Sequence, residues 1–169
     1  MTRRVVMLAG VILAALLLQT TVLGPVRLWG ARPDLLVLAV VALAMSAGPV
    51  SGGLFGFWAG LGADLLLELP VGVSALVYTL IGYAVGVARV YMVSQSVLVP
   101  AAVAGAASLA SVWLSGAVLR LLDLSEFSWG FVARTAPLVA VFNLLLAPVV
   151  YPLVSGIAER AERDRVMHW

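Results

Sequence analysis

Apolar residues in this chain run in long blocks, separated by short breaks rich in glycine, proline and charge. Six blocks result, at about residues 5–23, 35–47, 52–69, 71–88, 97–119 and 132–154. A helix needs about 20 mostly apolar residues to cross a bilayer, so the blocks predict six short spans. Arg3 and Arg4 precede the first block, as in a signal peptide. The block is longer than a signal core and has no small-x-small site before Gln19, so it reads as a retained first span. Asp34 stands where an N-cap belongs, its carboxylate placed to accept from free backbone amides. The second block is short and stops at Gly48-Pro49; if it is re-entrant, the count drops and the later loops invert. The third ends at Pro70, and the fourth follows so closely that the two predict a tight hairpin. Pro137, Pro148 and Pro152 mark kink points in the sixth. Glu159 to Trp169 alternates charge and reads as a solvated helical end or a dock for a cytoplasmic partner, within a terminal segment that begins near residue 156.

Composition narrows the class. The chain is 63% hydrophobic and 11% charged, against about 45–50% and 25% in an ordinary soluble domain. That excludes a soluble enzyme, a nucleic-acid module and a disordered linker. The expectation is an all-α polytopic membrane protein: one integral domain over residues 1–169, folded as a compact six-helix bundle. Cysteine is absent and the single histidine, His168, is next to last, so no metal site, cofactor or thiol nucleophile is expected. All ten basic residues are arginine. With the N-terminus inside, Arg3, Arg4, Arg89, Arg160, Arg163 and Arg165 lie on the cytoplasmic side, and Arg27, Arg32, Arg120 and Arg134 lie outside. The positive-inside rule then places both termini in the cytoplasm.

The richest stretch is the third block. Gly52, Gly56 and Gly60 recur every four residues, and the same row continues into Asp64 and Glu68. Such a row strips side chains from one helix ridge, so another helix of the bundle, or a partner's single span, can approach closely; around Gly56 and Gly60 the expectation is a contact with a partner's helix. A carboxylate at bilayer depth costs about 2.5–3.5 kcal/mol on insertion scales, so Asp64 has to pair, protonate or reach water. Two readings are open for it: an ion, proton or substrate site, or a structural carboxylate that caps neighbouring backbone or pairs Arg32 or Arg134. Glu68 lies at the wet end of its span. Asp34 and Asp64 as an aspartyl dyad is a weaker reading than helix capping, because Asp after Pro at a helix start is ordinary capping chemistry. Ser74 and Tyr78, one turn apart, line a pocket or hydrogen-bond a neighbouring helix. Gly82 and Gly86 form another close-packing pair, and Ala107, Ser111 and Ser115 make a small-residue ridge. Asn143, midway along the last span, is expected to bind an adjacent helix. No nucleophile elbow, zinc-protease motif or phosphate loop occurs, and no catalytic residue is assigned.

Several pieces in order resemble the MreD family of rod shape-determining proteins. They are Leu18-Gln19-Thr20 closing span one and Pro33-Asp34-Leu35-Leu36 opening span two. Gly56-Phe57, then Gly60-Leu61 and Asp64-Leu65-Leu66, follow in span three. Gly72-Val73-Ser74-Ala75-Leu76 and Tyr78-Thr79-Leu80, with Gly82-Tyr83, complete the set. The resemblance spans nearly the whole chain, although the half beyond Val97 carries little signature. It implies a non-enzymatic component of the bacterial cell-elongation machinery in the cytoplasmic membrane. Its implied partners are the single-span MreC and, more widely, MreB, RodZ, the RodA–penicillin-binding-protein synthase and membrane lipids, with no nucleic acid. It also implies a fold similar to the six-span S-components of energy-coupling-factor transporters. A small-ligand-binding subunit, with Asp34, Asp64, Glu68, Ser74 and Tyr78 as its polar pocket, is the competing expectation.

Overall fold

The computed structural model describes residues 2–23, 30–66, 70–91, 98–124 and 128–166. Among them the chain forms six helices: α1 (Thr2–Leu17), α2 (Leu35–Ala47), α3 (Pro49–Leu66), α4 (Val73–Ala88), α5 (Leu98–Leu121) and α6 (Trp129–Val166). A π-helical turn, Leu18–Val22, continues α1, and a 3-10 turn, Arg89–Tyr91, continues α4. The protein is thus an all-α membrane bundle. Val73–Tyr91, Leu98–Leu121 and Trp129–Ala158 are long and apolar enough to cross a membrane, whereas Val6–Val22 and Leu35–Ala47 are shorter apolar helices.

Helix α2 is the axis of the bundle. Its sequence is apolar on every side, as suits a helix enclosed all round, and Leu36 to Ala44 are buried without a break. The other five helices form a closed ring around it, in the order α1, α3, α4, α5, α6 and back to α1, and each of them also touches α2. At about 1.5 Å per residue the 13 residues of α2 cover only about 20 Å, short of the hydrocarbon thickness. Irregular backbone adjoins α2 at Pro33 and Asp34, just before Leu35. Inside a membrane such backbone is tolerated only where protein satisfies it.

The ring is closest where α3 meets α4. A Cβ added at Gly52 would come within 2.6 Å of both the Ala44 side chain and the Gly82 carbonyl. One at Gly56 would strike the Tyr78 carbonyl, and one at Gly60 the backbone of Ser74 and Ala75. From the α4 side, Gly82 meets Gly52, and Gly86 meets Pro49. The two glycine rows are therefore one seam, closed within the chain. Two differences from the predicted spans have local causes. Pro49 sits at a helix start, where its missing N–H costs nothing, so α3 begins three residues earlier than the expected Gly52. Gly72, at φ +101°, delays α4 to Val73. Helix α6 runs unbroken through its prolines and on to Val166.

Candidate functional site

Three ring helices converge on the start of α2. Gln19, buried in the π-turn that ends α1, donates from Nε2 to the Pro33 carbonyl (2.9 Å) and accepts at Oε1 from the Leu35 amide (2.9 Å). Asn143 of α6, fully buried, accepts from the Asp34 amide (3.0 Å) and donates to the Asp34 carbonyl (3.0 Å). It also donates to the Ser108 hydroxyl of α5 (2.6 Å), which in turn donates to the Ala104 carbonyl (2.7 Å). The Asp34 carboxylate accepts from the Leu36 and Val37 amides through Oδ1 (3.1 and 3.2 Å), and from the Tyr78 hydroxyl of α4 through Oδ2 (2.7 Å). Residues 33–37 thus receive partners from α1, α4 and α6, with α5 one bond further out. The π-turn is itself compensated, since Thr20 and Thr21 donate to the carbonyls of Leu16 and Leu17. This matches the way hydroxyls repair freed carbonyls in membrane helices.

The opposite end of α2 is closed by a cation. Arg89 Nη1 donates to the Ser46 carbonyl (2.8 Å) and, more distantly, to that of Met45 (3.4 Å). Gly48, at φ +89°, carries the chain out of α2 directly beside the guanidinium. A carboxylate at the amino end and a guanidinium at the carboxyl end both complement the helix dipole.

Asp64 serves a different helix. It is 1% exposed, and its carboxylate accepts from the amides of Gly72 (2.8 Å), Ser74 (3.1 Å) and Ala75 (3.4 Å). The residue in the N-cap position of α4 is Gly72, which has no side chain to cap with. Asp64 reaches across the seam and takes that role. It can do so because Gly60, one turn earlier on the same row, lets α4 lie against α3.

The structure therefore divides the predicted site residues into three groups. Asp34, Tyr78 and Asn143 meet at the start of α2; Asp64 and Ser74 meet at the start of α4; Gly52, Gly56, Gly60, Gly82 and Gly86 form the seam that holds the two together. Glu68 lies outside the described residues. Each aspartate faces a helix terminus. Sequence reasoning missed Gln19, Ser108 and Arg89 as working groups. Their signal was faint: one polar residue at the end of an apolar block, one serine inside another, and one arginine read as a loop cation.

A cavity of about 230 Å³ opens beyond this clamp. Asp34 and Tyr78 lie at its deep end, Ser111 and Ser115 along α5, and Arg120, Trp129 and Phe131 toward the ends of α5 and α6. The ridge expected to pack a neighbour thus borders open space through two of its members, Ser111 and Ser115. Trp129 also stacks on Trp113, with ring centroids 5.9 Å apart. Among the described residues no group of three or more acidic or histidine side chains is placed to hold a metal ion.

Compared with known families, residues 1–158 match the family model described as rod shape-determining protein MreD. No curated protein matches the chain.

Proposed function

The chain belongs to the MreD family of rod shape-determining proteins, and on that premise we propose that it is a non-enzymatic membrane scaffold of the cell-elongation machinery. It binds an MreC-type single-span protein and helps organise peptidoglycan synthesis from the cytoplasmic membrane, which it crosses six times with both termini inside. One observation supports this reading above the rest. The Asp34 and Asp64 carboxylates are both committed to backbone amides of their own chain, Asp34 at α2 and Asp64 at α4. The polar interior supports a rigid shape, while Leu54, Trp58, Leu76, Leu80 and Leu145 stand exposed on the outside, where lipid or another helix can meet them.

The test is co-purification in mild detergent with the MreC-type protein of the same organism, followed by native mass measurement. A complex of defined stoichiometry is expected. A folded, monodisperse protein that leaves its MreC-type counterpart unbound would refute the scaffold reading. The small-ligand reading retains one observation of its own, the cavity.

A further inference from the structure

The cavity has a polarity that the scaffold role does not use. Its deep end carries a carboxylate. Of the four lone-pair positions of that carboxylate, two on Oδ1 and one on Oδ2 are filled by Leu36, Val37 and Tyr78. Among the described residues one position on Oδ2 is left, and Asp34 lines the cavity. Arg32 acts electrostatically on the same carboxylate but is not part of the cavity wall. Nine residues further along α5 than Ser111, about 14 Å at helical rise, stands the exposed guanidinium of Arg120. Between the two charges the wall carries the Ser111 and Ser115 hydroxyls and the apolar surfaces of Val112, Leu119 and Val132. A half-buried carboxylate with an unfilled acceptor position gains from a further donor, and the cavity beside it gives a ligand the means to supply one.

From this arrangement we propose that the cavity is a binding site for a small, soluble zwitterion with a primary ammonium at one end and an anionic group at the other. The ammonium enters first and donates to Asp34 Oδ2, and the hydroxyls of Ser111 and Ser115 accept its remaining hydrogens. The anionic end stays near Arg120, and the chain between them packs on Val112, Leu119 and Val132. The volume is below the about 300–1,000 Å³ of sites for drug-sized molecules, so the ligand is small. An aminophospholipid carries the same pair of charges, but its headgroup stays at the interface, whereas the α2 start bonds to Asn143, fourteen residues into α6. The soluble source is therefore the one assigned, independently of the scaffold reading.

The experiment uses the full-length protein in phosphatidylglycerol nanodiscs, with 6-aminohexanoate as probe and hexanoate and hexylamine as controls. A probe at about ten times its Kd is expected to raise Tm by about 3–6 °C, with both controls weaker by tenfold or more. Ser115→Leu fills the cavity away from the clamp and removes the shift. Asp34→Asn keeps an N-cap acceptor and lowers affinity about tenfold, and Arg120→Gln lowers it for the probe but not for hexylamine. Equal binding of probe and hexanoate, absence of a shift at about 10 mM, or an undiminished shift in Ser115→Leu would each overturn the proposal. Loss of the probe's shift in phosphatidylethanolamine nanodiscs, with retention in phosphatidylglycerol, would overturn the soluble source and assign the site to a lipid headgroup.

Discussion

Replacing Asn143 with leucine tests whether the α2 clamp holds the bundle together. The side chain is fully buried and makes three hydrogen bonds, two of them to the backbone of Asp34. Leucine has similar bulk and no polar atom. The substitution therefore orphans the Asp34 N–H, while the Asp34 C=O loses one of two donors and keeps the Leu38 amide (3.2 Å). The Ser108 hydroxyl keeps its bond to Ala104, so its loss is minor. An orphaned buried group costs about 1–3 kcal/mol, whereas side-chain hydrogen bonds between membrane helices average about 0.6 and reach about 1.7 kcal/mol. Taking about 1–2 kcal/mol for the orphaned Asp34 N–H, with smaller shares for the Asp34 C=O and Ser108, gives about 2–3 kcal/mol. For a chain of this length that corresponds to a fall in Tm of about 5–10 °C. The assay is recovery of monodisperse protein in mild detergent after heating, with Ser108→Ala as reference. The reference loses the bond from Asn143 and the local bond to the Ala104 carbonyl and is expected to fall by about 1–3 °C. If Asn143→Leu melts no lower than Ser108→Ala, the clamp does not carry the weight assigned to it.

Other outcomes follow from the same geometry. Gly56→Ala is expected to cost about 1–3 kcal/mol by overpacking the seam, whereas Gly53→Ala, whose added methyl would stand 3.7 Å from the Tyr83 side chain, is neutral; thermal denaturation of the two in parallel separates them, and equal melting refutes the seam. Asp64→Ala uncaps α4 and is expected to cost about 1–2 kcal/mol, with Asp64→Asn between it and the parent; an unchanged Tm would show that the α4 amides do not depend on it. Arg89→Met removes the donor to Ser46 and Met45 at the carboxyl end of α2 and is expected to cost about 1 kcal/mol. Hydrogen exchange of the last turn of α2 should rise in that variant while the first turn is unchanged.

How much of this was legible in the sequence depends on how local the signal was. The bounds of α2 agree with the predicted 35–47 residue for residue, because Asp34 and Gly48 are adjacent start and stop signals. The glycine row on α3 was equally plain, since a four-residue period fixes a helix face. What the period could not say was which helix meets that face. The structure answers with α4, the next helix in the chain. Asp64 fell on the right row, but its target was hidden in a gap eight residues away, at Gly72. Asn143 was visible as a lone amide in an apolar span, yet its partner lies 109 residues earlier, and nothing in either local pattern pairs them. The cavity was the least legible feature. It arises because α5 and α6 extend past the start of α2, a difference in depth that no residue type encodes.

The position of the small residues bears on how a partner could be recognised. In lipid, helices gain nothing from the hydrophobic effect on meeting, and close approach through small residues is the usual source of affinity. Here Gly52, Gly56, Gly60, Gly82 and Gly86 are already spent on the α3–α4 seam. A single-span partner is therefore left with the outward faces, which present large side chains such as Leu54, Trp58, Leu76 and Leu80 and, on α1, the exposed small residues Ala9, Gly10 and Ala14. Filling the seam with Gly56→Leu then acts on the partner only through the fold: the complex and the thermal stability should decline together. Replacing an outward residue, as in Trp58→Ala or Leu80→Ala, should leave Tm near the parent value and lower complex yield only where that residue meets the partner. A Gly56→Leu protein with parental Tm and no complex would break this logic, because it would mean that the seam opens to admit the partner's helix.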